Sequence, residues 1–175
     1  MKRNHSFLTR CLHSVVTGVL IGSMASPDRQ LLAQAAPPPV VLYRMVNDGT
    51  PQRSAVTNLS AVFNTGVSIT PSNLLLRRLG DAAPVHPTNF ALTYDAVSNK
   101  ATWTFPGLPG RSLPDGNYAA AILANTVSNA AGVRLDGNAD GRPGDPFVFD
   151  VFRYFGDWNG DRDIDFWDNH WFQRA

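Results

Sequence analysis

The chain has 175 residues and no glutamate; all 14 of its acidic residues are aspartates. It carries one cysteine, Cys11, and two histidines, His86 and His170, after the first 35 residues. No apolar run is long enough to cross a bilayer, since Val15 to Ala25 falls short of the roughly 20 residues a spanning helix needs. These absences exclude much. Past Cys11 there is no thiolate for nucleophilic or zinc chemistry and no disulfide. With only two histidines, acid-base catalysis would fall on the aspartates, and the densest aspartate cluster has a better explanation in metal binding. His86 stands in a Pro84-Val-His86-Pro87 loop without a serine context, so an enzyme is not expected.

Residues 1–35 read as a secretory signal. Lys2, Arg3 and Arg10 form a basic start, an apolar stretch follows, and Ala33-Gln34-Ala35 fits a small-x-small cleavage site, with Ser23-Met24-Ala25 as a second candidate. Its removal takes the 15 basic and 14 acidic residues to 11 and 13, and the net charge from +1 to −2. No basic footprint for nucleic acid and no membrane span would remain. The expected location is secreted or cell-surface. Residues 36–39 read as a short proline-rich linker.

Residues 40–155 have the pattern of an all-β domain. Apolar or alternating segments at 40–46, 54–64, 74–79, 90–94, 101–105, 118–123 and 147–154 are separated by Gly, Pro, Asn and Asp turns, with no long helical period. Seven short strands of this kind argue for an Ig-like β-sandwich, and about 115 residues suffice for one core.

Nine of the 14 aspartates lie between Asp136 and Asp168. Asp157, Asn159, Asp161, Asp163, Asp165 and Asp168 fall at positions 1, 3, 5, 7, 9 and 12 of a twelve-residue loop, which is the ligand spacing of an EF-hand-type calcium site. Position 7 would contribute its backbone carbonyl, so the side chain of Asp163 is incidental. Ile164, at position 8, is expected to tie the loop to the body of the domain. Position 6, usually glycine, is Arg162, which would be forced toward a left-handed conformation at about 1 kcal/mol. A second acidic loop, with Asp136, Asn138 and Asp140 at positions 1, 3 and 5, Gly141 at the tight turn and the Arg142 carbonyl at position 7, would need Asp145 or water to close it. It is equally readable as a second metal site or as a plain Asx-turn loop.

The stretch Gly156-Asp157-Trp-Asn159-Gly160-Asp161-x-x-Ile164-Asp165-x-x-Asp168 resembles one repeat of a type I dockerin. The resemblance implies Ca2+ as cofactor, aspartate at position 12, a helix after the loop capped by Asp165, and attachment of a secreted protein to a cohesin-like partner. Dockerins carry two such repeats and one is present here. Positions 10 and 11 of that loop, which help to recognise the partner, are Phe166 and Trp167. The preceding domain is similar to bacterial secreted Ig-like modules in three motifs: Asn47-Asp48-Gly49 with Gln52-Arg53-Ser54, Leu113 to Tyr118 with Asp136 to Gly141, and Phe152-Arg153-Tyr154-Phe155-Gly156-Asp157. This implies an extracellular, non-catalytic module joined to residues 156–175 as a dockerin-like end.

Three of the four tryptophans, Trp158, Trp167 and Trp171, stand in the last 18 residues, and Trp167 and Trp171 are spaced i, i+4 on one helix face. Phe166, Trp167 and Trp171 are therefore the candidate partner-binding residues. The default for such residues is burial, so this face is expected to fold back on the sheets. Three functions stay open: a calcium-binding adhesion or assembly module, a purely structural module in which calcium stiffens the chain end, and, least favoured, a carbohydrate-active or sugar-binding domain.

Overall fold

Strands form where apolar and polar residues alternate and stop where glycine, proline or an Asx turn removes the extended conformation. The structure is a computed structural model that describes residues 35–174, with the side chain of Trp171 outside the described set. The secretory-signal expectation lies outside it too, apart from Ala35. Among the described residues there are seven strands: β1 Val41–Val46, β2 Asn58–Phe63, β3 Leu74–Arg78, β4 Ala91–Asp95, β5 Lys100–Thr104, β6 Gly116–Ile122 and β7 Phe147–Arg153. One α-helix, α1 Phe166–Phe172, follows them. The described residues are mostly strand with almost no helix, the all-β class that the alternation predicts. Among the described residues no helix is long and apolar enough to cross a membrane.

The strands make two antiparallel sheets, one ordered β1-β2-β5-β4 and the other β3-β6-β7. Their inward side chains belong to a single core. Val46, Leu59, Ala61, Phe63, Ala101 and Trp103 enter it from the first sheet, and Leu74, Leu76, Tyr118, Ala120, Ile122 and Val151 from the second. Period-two patterning sets this: β6 buries Tyr118, Ala120 and Ile122 and turns Ala119 and Ala121 outward. The Tyr118 hydroxyl escapes the apolar interior by donating to the Pro114 carbonyl at 2.7 Å. Burial pushes its pKa up to about 12, so it remains a donor.

Two stretches depart from the sequence reading. The segment 54–64 yields a strand only from Asn58, because its first half binds elsewhere. Asn47 donates to the Ala55 carbonyl at 2.6 Å and accepts from the Thr57 amide at 2.9 Å, while Ser54 turns toward the chain beyond β7. The proline-rich stretch 36–39 is held to the domain. The Pro39 carbonyl accepts from the Asp136 amide at 2.9 Å, and the Pro37 carbonyl accepts from the Asn129 side chain at 3.0 Å.

Candidate functional site

The loop of Asp157 to Asp168 is wound by its own carboxylates. Asp157, at position 1, is fully buried and accepts from the amides of Gly160 at 2.6 Å and Arg162 at 3.1 Å. Asn159 accepts from the Asp161 amide at 3.0 Å, and Asp161 from the Asp163 amide at 2.9 Å. These local bonds suit Asp and Asn, whose short side chains reach the backbone one or two residues on. Among the described residues the Asp163 carboxylate accepts only from the neighbouring Ile164 amide.

The far end of the loop is a helix start. Asp165 accepts from the Trp167 amide at 2.7 Å, and Asp168 reaches back to the Asp165 amide at 2.8 Å, a reciprocal cap of α1. The spacing of positions 9 and 12 is thus also the spacing of an N-cap and the third residue of a helix. Asp168 is 2 % exposed and its other oxygen accepts from the amides of Trp158 and Asn159, so one carboxylate ties both ends of the loop together. Burial alone would raise its pKa, but the three amide donors outweigh it and hold the group below the ordinary carboxylate value.

Arg162 takes φ of +77°, the left-handed conformation that position 6 demands. Its guanidinium lies 4.4 Å from the centre of the Phe152 ring, a cation–π contact worth about 0.5–1 kcal/mol at an exposed site, which offsets much of the backbone cost.

What seats the loop on the sheets is a group of residues from the motifs given above, Arg53, Ser54, Asp115 and Arg153. The Arg53 amide donates to the Asp157 carbonyl at 2.7 Å, and the Tyr154 amide to the Arg53 carbonyl at 3.1 Å. The Gly156 amide donates to the Ser54 hydroxyl at 3.0 Å, and the Arg153 side chain to the Ser54 carbonyl at 2.8 Å. Asp115 accepts from the Phe155 amide and pairs with Arg153, each at 2.8 Å. Arg53 in turn gathers the carbonyls of Thr50, Pro51 and Gln52. Gly160 lies so close to Pro51 that a Cβ there would sit 2.1 Å from its carbonyl oxygen. Arg53, Ser54, Asp115 and Arg153 therefore form a socket for the loop. Sequence reasoning quoted these residues but did not join them, because the socket spans about a hundred positions and no local pattern announces it.

The helix beyond the loop does not bury as expected. Phe166 is 72 % exposed and Trp167 58 %, and they meet edge to face at 5.9 Å; Trp167 also packs against His170. Phe172 packs on Trp158, ring centres 5.1 Å apart and planes tilted by 54°, within the tail itself. Ile164 is exposed and rests on Gly156, so it does not anchor the loop to the core; Gly160, Arg162 and the socket hold that position.

The second loop repeats the first five positions. Asp136, 1 % exposed, accepts from the amides of Asp140 and Gly141, Asn138 accepts from Asp140, and Asp140 from the Arg142 amide. Asp145 approaches only through the Asn138 side chain, at 3.4 Å. His86 accepts from the Thr88 amide as the cap of a short turn. Among the described residues no three Asp or His side chains converge as a group able to hold a cation. In both loops the carboxylate oxygens accept backbone amides. The donor set is all oxygen, the chemistry calcium selects, and among the described residues none of the tail aspartates is engaged by a lysine or arginine in an ion pair. Comparison with known proteins assigns the chain to no group: no family model matches it, and no curated protein or solved structure is significantly similar to it.

Proposed function

We propose that the chain is a secreted, non-catalytic calcium-binding module that serves adhesion or extracellular assembly through its dockerin-like tail. The observation that carries this reading is the exposure of Phe166 and Trp167 on the helix that Asp165 and Asp168 start from within the loop. Whatever orders the loop orders this aromatic face, and a partner surface of cohesin type would cover it. Asp157, Asn159, Asp161, the Asp163 carbonyl, Asp165 and Asp168 would hold the ion. Calcium would neutralise the five aspartates that the loop crowds into twelve residues.

The Ig-like reading of the sheets is supported by their order. β1-β2-β5-β4 against β3-β6-β7 is the ABED and CFG arrangement of a constant-type Ig domain. The bond from Tyr118, at the start of the sixth strand, to the carbonyl of Pro114 matches the tyrosine corner of such domains.

One observation favours a second reading, a structural module in which calcium only stiffens the chain end. The socket fixes the loop to the sheets at several points, which a freely displayed tail would not need. Calcium titration calorimetry, beside capture on an immobilised cohesin module, separates the two. The assembly reading expects saturable binding and calcium-dependent capture, both lost in Asp157→Ala/Asp168→Ala while the sheets stay folded. Binding without capture leaves the structural module, and no binding at millimolar calcium removes both.

A further inference from the structure

The outer faces of the two sheets differ in chemistry. On the β4–β5 half of the four-stranded sheet the outward positions are Ala91, Thr93, Asp95, Lys100, Thr102 and Thr104, a mostly polar, solvated face. On the three-stranded sheet the register sets Leu75 beside Ala121 and Ala121 beside Val148, a row with no polar side chain. Leu75 is 41 % and Val148 65 % exposed, and with Ala82 and Pro84 they line a shallow groove of about 380 Å³.

The next row carries charge at its two ends. Arg77 on β3 and Asp150 on β7 flank Ala119 on β6, so two interstrand spacings, roughly 10 Å, separate their backbones. Neither forms an ion pair within the chain among the described residues, where the pairs are Lys100–Asp48 and Arg153–Asp115. Arg162 borders the same end of β7 without pairing with Asp150.

We propose that this face is where two copies of the chain associate, sheet on sheet, about a two-fold axis parallel to the strands. That rotation lays β3 of one copy over β7 of the other. Arg77 then meets the second copy's Asp150 at both rims, and Leu75 meets Val148. The small Ala119 and Ala121 lie on the axis and let the sheets close to the ~10 Å of aligned packing. A two-fold axis across the strands pairs neither charge. The contact is isologous and closes at two copies.

Three strands of five residues cover about 14 Å by 17 Å, well under the ~800 Å² per partner of a standard interface. The association is therefore weak and reversible, and the rim charges fix its orientation more than its strength.

Sedimentation velocity of the full chain from about 10 µM to about 1 mM, the range of a weak interface, tests this in calcium and in chelator. The expected result is a monomer–dimer equilibrium in both. Arg77→Asp or Asp150→Arg alone should weaken it about tenfold or more, and the double exchange Arg77→Asp/Asp150→Arg should return it to within about threefold of the wild type. Circular dichroism of each variant confirms that these exposed positions leave the fold intact. A wild-type monomer throughout, association indifferent to the single reversals, or a double exchange that fails to restore it would each overturn the proposal. The last two outcomes would move any association to the aromatic tail.

Discussion

The loops beginning at Asp136 and Asp157 share an Asp-x-Asn-x-Asp opening, and through position 6 they fold alike. In each the first aspartate is buried and takes two amides, and positions 4 and 6 are left-handed, with φ of +59° and +86° at Ala139 and Gly141 and of +81° and +77° at Gly160 and Arg162. They part afterwards. The first loop turns through Pro143 to Pro146 and enters β7 at Phe147, where the other has Asp168; its Gly137 and Gly144 amides bond to the carbonyls of Asp145 and Leu135. The second runs on into a reciprocally capped helix. The shared opening makes a tight amide-lined turn, and the following six residues decide whether it leads into a sheet or into a loop that Asp168 closes on its own amides.

Glycine substitution should break the comparison most widely. A Cβ at Gly137 would stand 2.2 Å from the Phe147 amide nitrogen, and one at Gly160 2.1 Å from the Pro51 oxygen, so both are rigid backbone clashes. Gly137→Ala should lower global stability by about 3 kcal/mol or prevent folding, since it pushes on the entry to β7. Gly160→Ala should release the tail from the socket and leave the cooperative unfolding of the sheets nearly unchanged. Urea denaturation followed by the Trp103 signal in a variant lacking the tail tryptophans distinguishes these outcomes.

Asp136→Ala and Asp157→Ala sharpen it at the next level. Each removes a buried carboxylate to which two partly exposed amides donate, at about 1.5–3 kcal/mol per hydrogen bond to a charged group. The loss should appear in the global unfolding midpoint for Asp136→Ala. For Asp157→Ala it should appear as faster amide hydrogen exchange confined to residues 158–172.

Acid should act on one loop in a way peculiar to it. Asp168 binds its proton less readily folded than unfolded, so its contribution is complete above the ordinary carboxylate value of 3.8 and is lost as pH falls through the lower folded value. In calcium-free solution the amide shifts of Trp158, Asn159 and Asp165, which Asp168 holds, should titrate together below about pH 4. The same three amides moving at separate pH values would break this linkage.

The smallest effect is expected at Arg162→Gly. It relieves the left-handed backbone by about 1 kcal/mol and removes a ring contact of similar size. The net change in the exchange protection of the tail should be within about 0.5 kcal/mol.

Much of the fold was legible because it is periodic and local. Alternation at Trp103 and Phe105, the Asp115-Gly116 turn and the capping role of Asp165 depend on near neighbours, and the elements lie within a few residues of where those signals put them. The left-handed turn at Arg162 was legible from loop position alone. Nonlocal partners were hidden. Ser54 has no sequence signal tying it to Gly156, so β2 begins later than its alternation suggests. The exposed Phe166 and Trp167 show the limit of the burial default, since an apolar residue goes inside only if the chain leaves it something to pack against.

The socket also governs how the molecule bears load. A pull applied beyond Asp168 meets the bonds of Arg53 to Asp157, Ser54 to Gly156 and Asp115 to Phe155 before it meets any rung of the β6–β7 ladder. Those bonds anchor to the chain ahead of β2 and β6, so tension on the tail is shared between both sheets, and β7 is spared from being unzipped by a pull on the tail.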